Sequence, residues 1–348
     1  MTRLSIQRPD DWHLHLRDGA ALKDVVRFTA ERFGRAIVMP NLKPPITTAA
    51  MAQAYRQRIL SALPADSRFE PLLTLYLTDT TSVAEIDRAR SSGIIHGIKL
   101  YPAGATTHSD SGVTDIRKVY PVLERMQEIG MRLLVHGESP QADIDAFDRE
   151  THFIDTVLAP LLERFTKLSV VFEHITTARA VEFVTSARAG IAATITPQHL
   201  LHNRNAIFLG GIRPHYYCLP VLKRERDRRA LLEAATGGNP RFFLGTDSAP
   251  HERAAKESAC GCAGMFTAHA AIELYAEAFE SVGRLDRLQA FASHFGADYY
   301  GLPRHNDTIT LIKEPWVAPQ TLEFAGSTLV PYRAGETLSW RLASASAS

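Results

Sequence analysis

Trp12-His13-Leu14-His15-Leu16-Arg17-Asp18 is the stretch from which the fold is read. It reads as a strand over 11–16, in which residues two apart share a face. On that basis His13, His15 and Arg17 project together, and Leu14 and Leu16 point the other way. Two neutral imidazoles on one face are half of a metal site, and a guanidinium beside them is an anion clamp. No glycine-rich dinucleotide fingerprint follows this strand, which argues against an open doubly wound sheet.

Working outward, short apolar runs alternate with segments of helical period. Strands are predicted at 11–16, 36–40, 71–78, 95–101, 132–137, 168–175, 191–197 and 242–247. Helices are predicted at 24–33, 49–63, 82–89, 116–129, 153–165, 178–187, 223–235 and 266–279. Eight strands, each followed by a helix, predict an α/β fold, a (β/α)8 TIM barrel with a parallel core. The loops 102–115, 199–221 and 248–265 are long and fall at the C-terminal face, where such barrels carry their sites. The small, polar residues 104–112 suit a lid. The whole chain, 1–348, reads as one domain, with a barrel core over about 8–302 and a C-terminal extension over about 303–340. The last Ala-Ser repeats read as disordered.

Composition narrows the function. A net charge of +1 with no Lys/Arg block excludes a nucleic-acid binder, so attraction for an anion must be local to a pocket. There is no signal-peptide core and no apolar run of spanning length. Three cysteines indicate a reducing compartment, hence a cytoplasmic protein. Cys260-Gly261-Cys262 with Cys218 lacks a fourth ligand for structural zinc, and the three read as small loop residues.

Position sorts the 14 histidines. Lys99, His136, His174 and Asp247 each end a buried apolar strand, where an unpaired polar group is costly. A shared metal centre satisfies them together with His13 and His15. Singly, each has a plainer reading: a hydrogen-bonded core histidine, a paired lysine, a capping aspartate. Likewise the plainer reading of Arg17 is an ion pair with Asp18 or Asp11, and that of Asn41 a turn residue after Pro40. The set of six favours the metal. His96, His108, His152, His199, His202, His215, His269, His294 and His305 are assigned loop, surface or structural roles.

These residues resemble the amidohydrolase superfamily, and within it the single-function bacterial dihydroorotase family. The matching strings are Pro9-Asp10-Asp11-Trp12-His13-Leu14-His15-Leu16-Arg17-Asp18-Gly19, Val38-Met39-Pro40-Asn41-Leu42, Lys99-Leu100-Tyr101-Pro102-Ala103, Phe172-Glu173-His174-Ile175-Thr176-Thr177, Ala193-Thr194-Ile195-Thr196-Pro197-Gln198-His199-Leu200 and Gly245-Thr246-Asp247-Ser248-Ala249-Pro250-His251. The resemblance implies two divalent metals, zinc by default, ~3.5–4 Å apart and bridged by a hydroxide. It implies a CO2-derived carbamate on Lys99 (N6-carboxylysine), with His13, His15 and Asp247 at one metal and His136 and His174 at the other. Two dications against carbamate, Asp247 and hydroxide leave a charge of about +1, before Arg17 is added, so the pocket favours an anion.

Carried over residue by residue, Arg17, Asn41 and His251 bind the substrate carboxylate. His15 and His136 also border the substrate, Leu219 and Ala263 hold the ring edge by backbone groups, and Thr106 and Thr107 form the lid. The implied reaction is the reversible cyclisation of N-carbamoyl-L-aspartate to (S)-dihydroorotate, with Asp247 as catalytic proton shuttle; the implied assembly is a homodimer. Two other readings stand beside it: a hydantoinase- or dihydropyrimidinase-like cyclic amidase, and a catalytically silent scaffold.

Overall fold

The computed structural model describes residues 2–343; the Ala-Ser run 344–348 lies outside the described residues. A strand that the sequence reading missed, β1 (Arg3–Gln7), comes first. Eight parallel strands then follow in chain order: β2 (Asp11–Leu14), β3 (Arg35–Val38), β4 (Glu70–Tyr76), β5 (Ile95–Leu100), β6 (Leu133–Val135), β7 (Val170–Phe172), β8 (Ile191–Ile195) and β9 (Phe242–Leu244). The sheet order runs β2 to β9 without a crossover. The ring is drawn shut by Asp247 N–H donating to His13 O (2.8 Å) and His15 N–H donating to Ser248 O (2.9 Å). This is the expected (β/α)8 barrel. No helix among the described residues is long and apolar enough to cross a membrane.

All eight predicted strands are present, but shorter at their C-terminal ends. Arg17, His174 and Asp247 have φ of 59°, 41° and 45°, a left-handed backbone that a strand cannot contain. The predicted alternation of His13, His15 and Arg17 along one continuous strand does not hold. β2 ends at Leu14, and its register against β3 slips between Asp11 and Leu14. Trp12 joins the interior cluster of Ile37, Leu72, Leu134, Val171 and Phe243, while the adjacent His13 lies against His174. Arg17 therefore reaches the site from a turn, and strand pleating does not aim it.

The interior is filled from below. Trp12 stacks on Tyr300, with ring centroids 4.6 Å apart. Gly296 is required there, because a Cβ would lie 2.0 Å from the Trp12 indole nitrogen. Truncating Trp12 to alanine removes the plug and costs about 3–5 kcal/mol. Outside the sheet, one continuous apolar layer joins the strands to the helices. The predicted helix 153–165 is broken into Arg149–Phe153, a π turn Ile154–Leu158 and Ala159–Arg164. Pro160 lacks the amide that would continue an α ladder, and the wider turn accommodates the loss.

Beyond the barrel lie β10 (Thr308–Val317), β11 (Leu322–Phe324), β12 (Ser327–Leu329) and β13 (Thr337–Leu342). β10 pairs antiparallel with both β1 and β13. The sheet presses the buried Trp340 into the barrel's outer apolar layer. The period-2 pattern Leu4/Ile6 and Ile309/Leu311 was the signal for it; Pro315 sits where the β10–β13 register shifts, as proline in a strand must.

Candidate active site and metal centre

His13, His15, Lys99, His136, His174 and Asp247 meet at the C-terminal mouth. Five line one cavity with Arg17, Asn41, Thr106, Thr107, Leu219 and Ala263; Lys99 is fully buried beneath, its Nζ 5.1 Å from the Tyr101 ring centre. The rings of His15, His13, His174 and His136 form a chain, with successive centroids 5.5, 4.8 and 4.8 Å apart. A larger surface hollow of about 600 Å³, lined by Leu200, Asn203, Leu209 and Arg228, lies elsewhere and holds none of these groups.

Hydrogen bonds set the tautomers, and these decide what the cluster accepts. His15 Nδ1 is 2.7 Å from Asn41 Oδ1, so Nδ1–H donates and Nε2 keeps a lone pair. That lone pair faces Asp247 Oδ1 at 3.2 Å. His13 Nδ1 lies 3.0 Å from Glu173 Oε2, and its Nε2 lies 3.4 Å from the same Asp247 oxygen. Lone pairs directed at a carboxylate repel unless a cation lies among them. The ligand atoms of His13, His15 and Asp247 all fall within 4.8 Å of one another, a donor set suited to a divalent ion. His136 Nε2 is engaged by Glu138 Oε2 at 2.9 Å, leaving Nδ1 as its free donor atom. Lys99 Nζ and His174 Nδ1 are buried with no hydrogen-bond partner among the described residues.

Protonation agrees with this for His15, His136 and His174. Burial pushes His15 down to about 4 and lowers His136 and His174 as well, so these imidazoles are neutral, as ligands must be. For His13 burial acts downward, but the Glu173 carboxylate and the contact with Asp247 together raise the pKa. Burial lowers Lys99 to about 8, which makes the free amine accessible near neutrality. Asp247 lies well below the usual carboxylate range: burial opposes this, and its contacts with His13 and His15 prevail.

The clamp residues also converge. Arg17 pairs with neither Asp18, which takes Arg58 at 2.7 Å, nor Asp11, which accepts from the Thr246 amide at 2.9 Å. Its Nε donates to Pro250 O (2.9 Å), and Nη2 meets His251 Nε2 at 2.9 Å. Asn41 divides its amide between His15 and Thr107 O (3.4 Å). In the lid, Thr107 Oγ1 accepts from Ala263 N–H at 3.1 Å. Thr106 lies in a tight turn, its N–H donating to Ser109 Oγ at 2.9 Å. Cys218 is buried, Cys260 exposed and Cys262 half-buried beside Ala263.

Sequence reasoning passed over the buried carboxylates that aim the ligands. Glu173 precedes His174 and faces His13; Glu138 follows His136 by two residues; Asp11 accepts from the amides of His13 (3.2 Å) and Thr246. Their signal was adjacency to ligands within apolar strings, where a carboxylate needs a partner.

A parallel eight-stranded barrel with a His/Lys/Asp cluster at its C-terminal mouth defines a barrel hydrolase. The chain belongs to the amidohydrolase family, which residues 10–335 match, and within it to the dihydroorotase group. The dihydroorotase of Methylobacillus flagellatus is 65% identical over 341 residues, 98% of this chain and 99% of that one. The Campylobacter jejuni dihydroorotase structure matches with a TM-score of 0.89 at 36% identity, covering 98% of this chain and 97% of that one. The Saccharomyces cerevisiae dihydroorotase in complex with 5-fluoroorotic acid matches with a TM-score of 0.90 at 32% identity, covering 99% of each chain.

Proposed function

We propose that this enzyme interconverts N-carbamoyl-L-aspartate and (S)-dihydroorotate in pyrimidine biosynthesis. The observation that carries the reading is that one cavity holds converging imidazole and carboxylate lone pairs together with Arg17, whose Nη2 meets His251 Nε2 at 2.9 Å. The first suits hydrolysis of a cyclic amide, and the second suits a substrate bearing a carboxylate.

His13, His15 and Asp247 would hold one divalent ion, His136 and His174 a second, and a carbamate on Lys99 would give one oxygen to each. Zinc is the default for such ligands. When bound, the ions supply an acidified water and polarise the amide carbonyl. The chain's own residues do the rest. Arg17, His251 and Asn41 bind the carboxylate; backbone groups of Leu219 and Ala263 hold the ring edge; Thr106 and Thr107 close over the ligand and exclude water. Asp247, ionised at neutral pH, accepts a proton from the attacking water and passes it to the ring nitrogen as the C–N bond breaks. In the reverse direction the carbamoyl nitrogen attacks the β-carboxyl carbon and water leaves.

A cyclic amidase for uncharged rings has no need of the Arg17–His251 pair, and a silent scaffold has no need of all six ligands. The same reading takes the chain as one domain of a cytoplasmic homodimer. Metal analysis of the purified protein, coupled to carbamoyl-aspartate cyclisation and to turnover of dihydroorotate against dihydrouracil, tests it. Two metals per chain and a strong preference for the carboxylated ring are expected; absence of metal and of cyclisation overturns the proposal.

A further inference from the structure

Lys256 is nine-tenths or more buried, yet no carboxylate lies within ion-pair distance among the described residues. Its ammonium donates instead to three backbone carbonyls: Tyr217 O at 2.7 Å, Gly264 O at 2.8 Å and Cys262 O at 2.9 Å. These belong to two loops. Tyr217 precedes Leu219 by two residues in one loop, and Cys262 and Gly264 flank Ala263 in the other. A buried cation satisfied only by carbonyls fixes the direction of each peptide plane it touches.

That direction matters at Ala263. A trans peptide unit is planar, with its C=O and N–H antiparallel. Drawing Cys262 O inward to Lys256 therefore turns the Ala263 N–H outward, into the cavity, where Thr107 Oγ1 now accepts from it at 3.1 Å. The same segment has no slack. Cys262 has φ of 28°, and a Cβ on Gly264 would lie 2.7 Å from Ala249 O and 2.9 Å from His251 Cδ2. A backbone held in a strained shape needs an outside constraint, and Lys256 is placed to provide it.

We infer that Lys256 is a positioning residue that presents the Ala263 amide to the substrate's ring edge by tying the 199–221 and 248–265 loops together. The inference rests on the reading that Ala263 holds the ring, and it extends that reading to a residue outside the cavity.

The test compares the metal-loaded wild type with Lys256→Met and Lys256→Arg. Readouts are dihydroorotate hydrolysis, metal content and amide hydrogen exchange over 258–265. Lys256→Met is expected to raise KM about tenfold or more, with kcat within about threefold and metal content unchanged, while exchange over 258–265 accelerates. Lys256→Arg keeps the charge but spreads its donors over several nitrogens, and it should recover part of that loss. A Met variant with wild-type KM and wild-type exchange overturns the inference. If the Met variant does not fold, the Arg variant decides: a KM raised about threefold or more supports the inference, and an unchanged KM overturns it. A wild type inactive on dihydroorotate would overturn the function reading instead. Exchange over 258–265 would then still show whether Lys256 ties the loops.

Discussion

Arg17 Nη2 stands 2.9 Å from His251 Nε2 across 234 positions of chain. The same His251 nitrogen lies 3.0 Å from Ala263 O. Arginine only donates, so Nε2 would have to accept from Arg17 and donate to Ala263 at once, which one ring nitrogen cannot do. A carboxylate entering between them removes the conflict, because it accepts from both the guanidinium and the imidazole N–H. Replacing Arg17 by Met should therefore lower kcat/KM for dihydroorotate by about 100-fold, mostly through KM. The preference for dihydroorotate over dihydrouracil should collapse with it, and steady-state kinetics on both rings reads this out. An unchanged preference would remove Arg17 from the clamp.

Glu173 governs the neighbouring chemistry. Its Oε2 lies 3.0 Å from His13 Nδ1 and accepts from Thr194 Oγ1 at 2.6 Å, so a hydroxyl on the next strand fixes the carboxylate that faces the imidazole. Outer partners of this kind are worth about 10–100-fold in metal affinity. Glu173→Gln should lose metal at a correspondingly lower chelator concentration, with the fold intact by circular dichroism. Equal retention in a chelator titration would show that Glu173 has no hold on the site.

How much of this was legible in the sequence follows from what each residue must satisfy. Apolar strands buried on both faces betray themselves by composition, and a lysine or histidine at their ends is conspicuous for the same reason; the barrel and the six-residue cluster were readable on that ground. The route by which Arg17 arrives was not. A slip in strand pairing at Asp11–Leu14 and a φ of 59° at Arg17 are decisions of tertiary packing, invisible to a period-2 rule. The residues beyond Pro303 read as short extended pieces, but the pairing of Thr308–Val317 with Arg3–Gln7 was not readable, because that register is set between segments far apart in the chain. Lys256 read as one more charge in the long 248–265 loop, since its three carbonyl partners are backbone atoms that leave no trace in composition.

The loop end at Leu219 carries a pH dependence. His199 is buried with both ring nitrogens engaged, Nδ1 with Thr196 Oγ1 at 2.6 Å and Nε2 with Pro220 O at 3.1 Å. A neutral ring satisfies both, and burial, with Lys223 adding to it, lowers the pKa from 6.5 to about 4. The folded pKa lies below the unfolded one, so between these values the unfolded chain takes up a proton that the folded chain refuses. Stability is then full above about 6.5 and falls as pH drops toward about 4. Melting temperatures of metal-free protein should fall over this window, and His199→Gln should flatten the slope at some cost in stability near pH 7. A variant with the wild-type slope would assign the acid lability elsewhere.

Lys99 makes the sharpest demand. Its ammonium would sit with no exposure and no hydrogen-bond partner, 5.1 Å from the Tyr101 ring centre. Burial lowers its pKa to about 8 even with Glu173 and Asp247 acting to raise it. A charge held there without a partner is costly, whereas a carbamate becomes favourable once cations face it. Protein loaded with divalent metal in carbon-13 bicarbonate should show a carbamate carbon resonance that Lys99→Ala lacks. The variant should bind less metal and lose about a thousandfold or more in turnover, because the ligand its two ions would share is gone. The pH trend provides an independent check. Carbamate formation starts from the free amine, so the rate of label uptake when metal and labelled bicarbonate are added together to metal-free protein should rise as pH passes through about 8. Full activity in a holoenzyme that carries no label would show that Lys99 acts as a plain lysine.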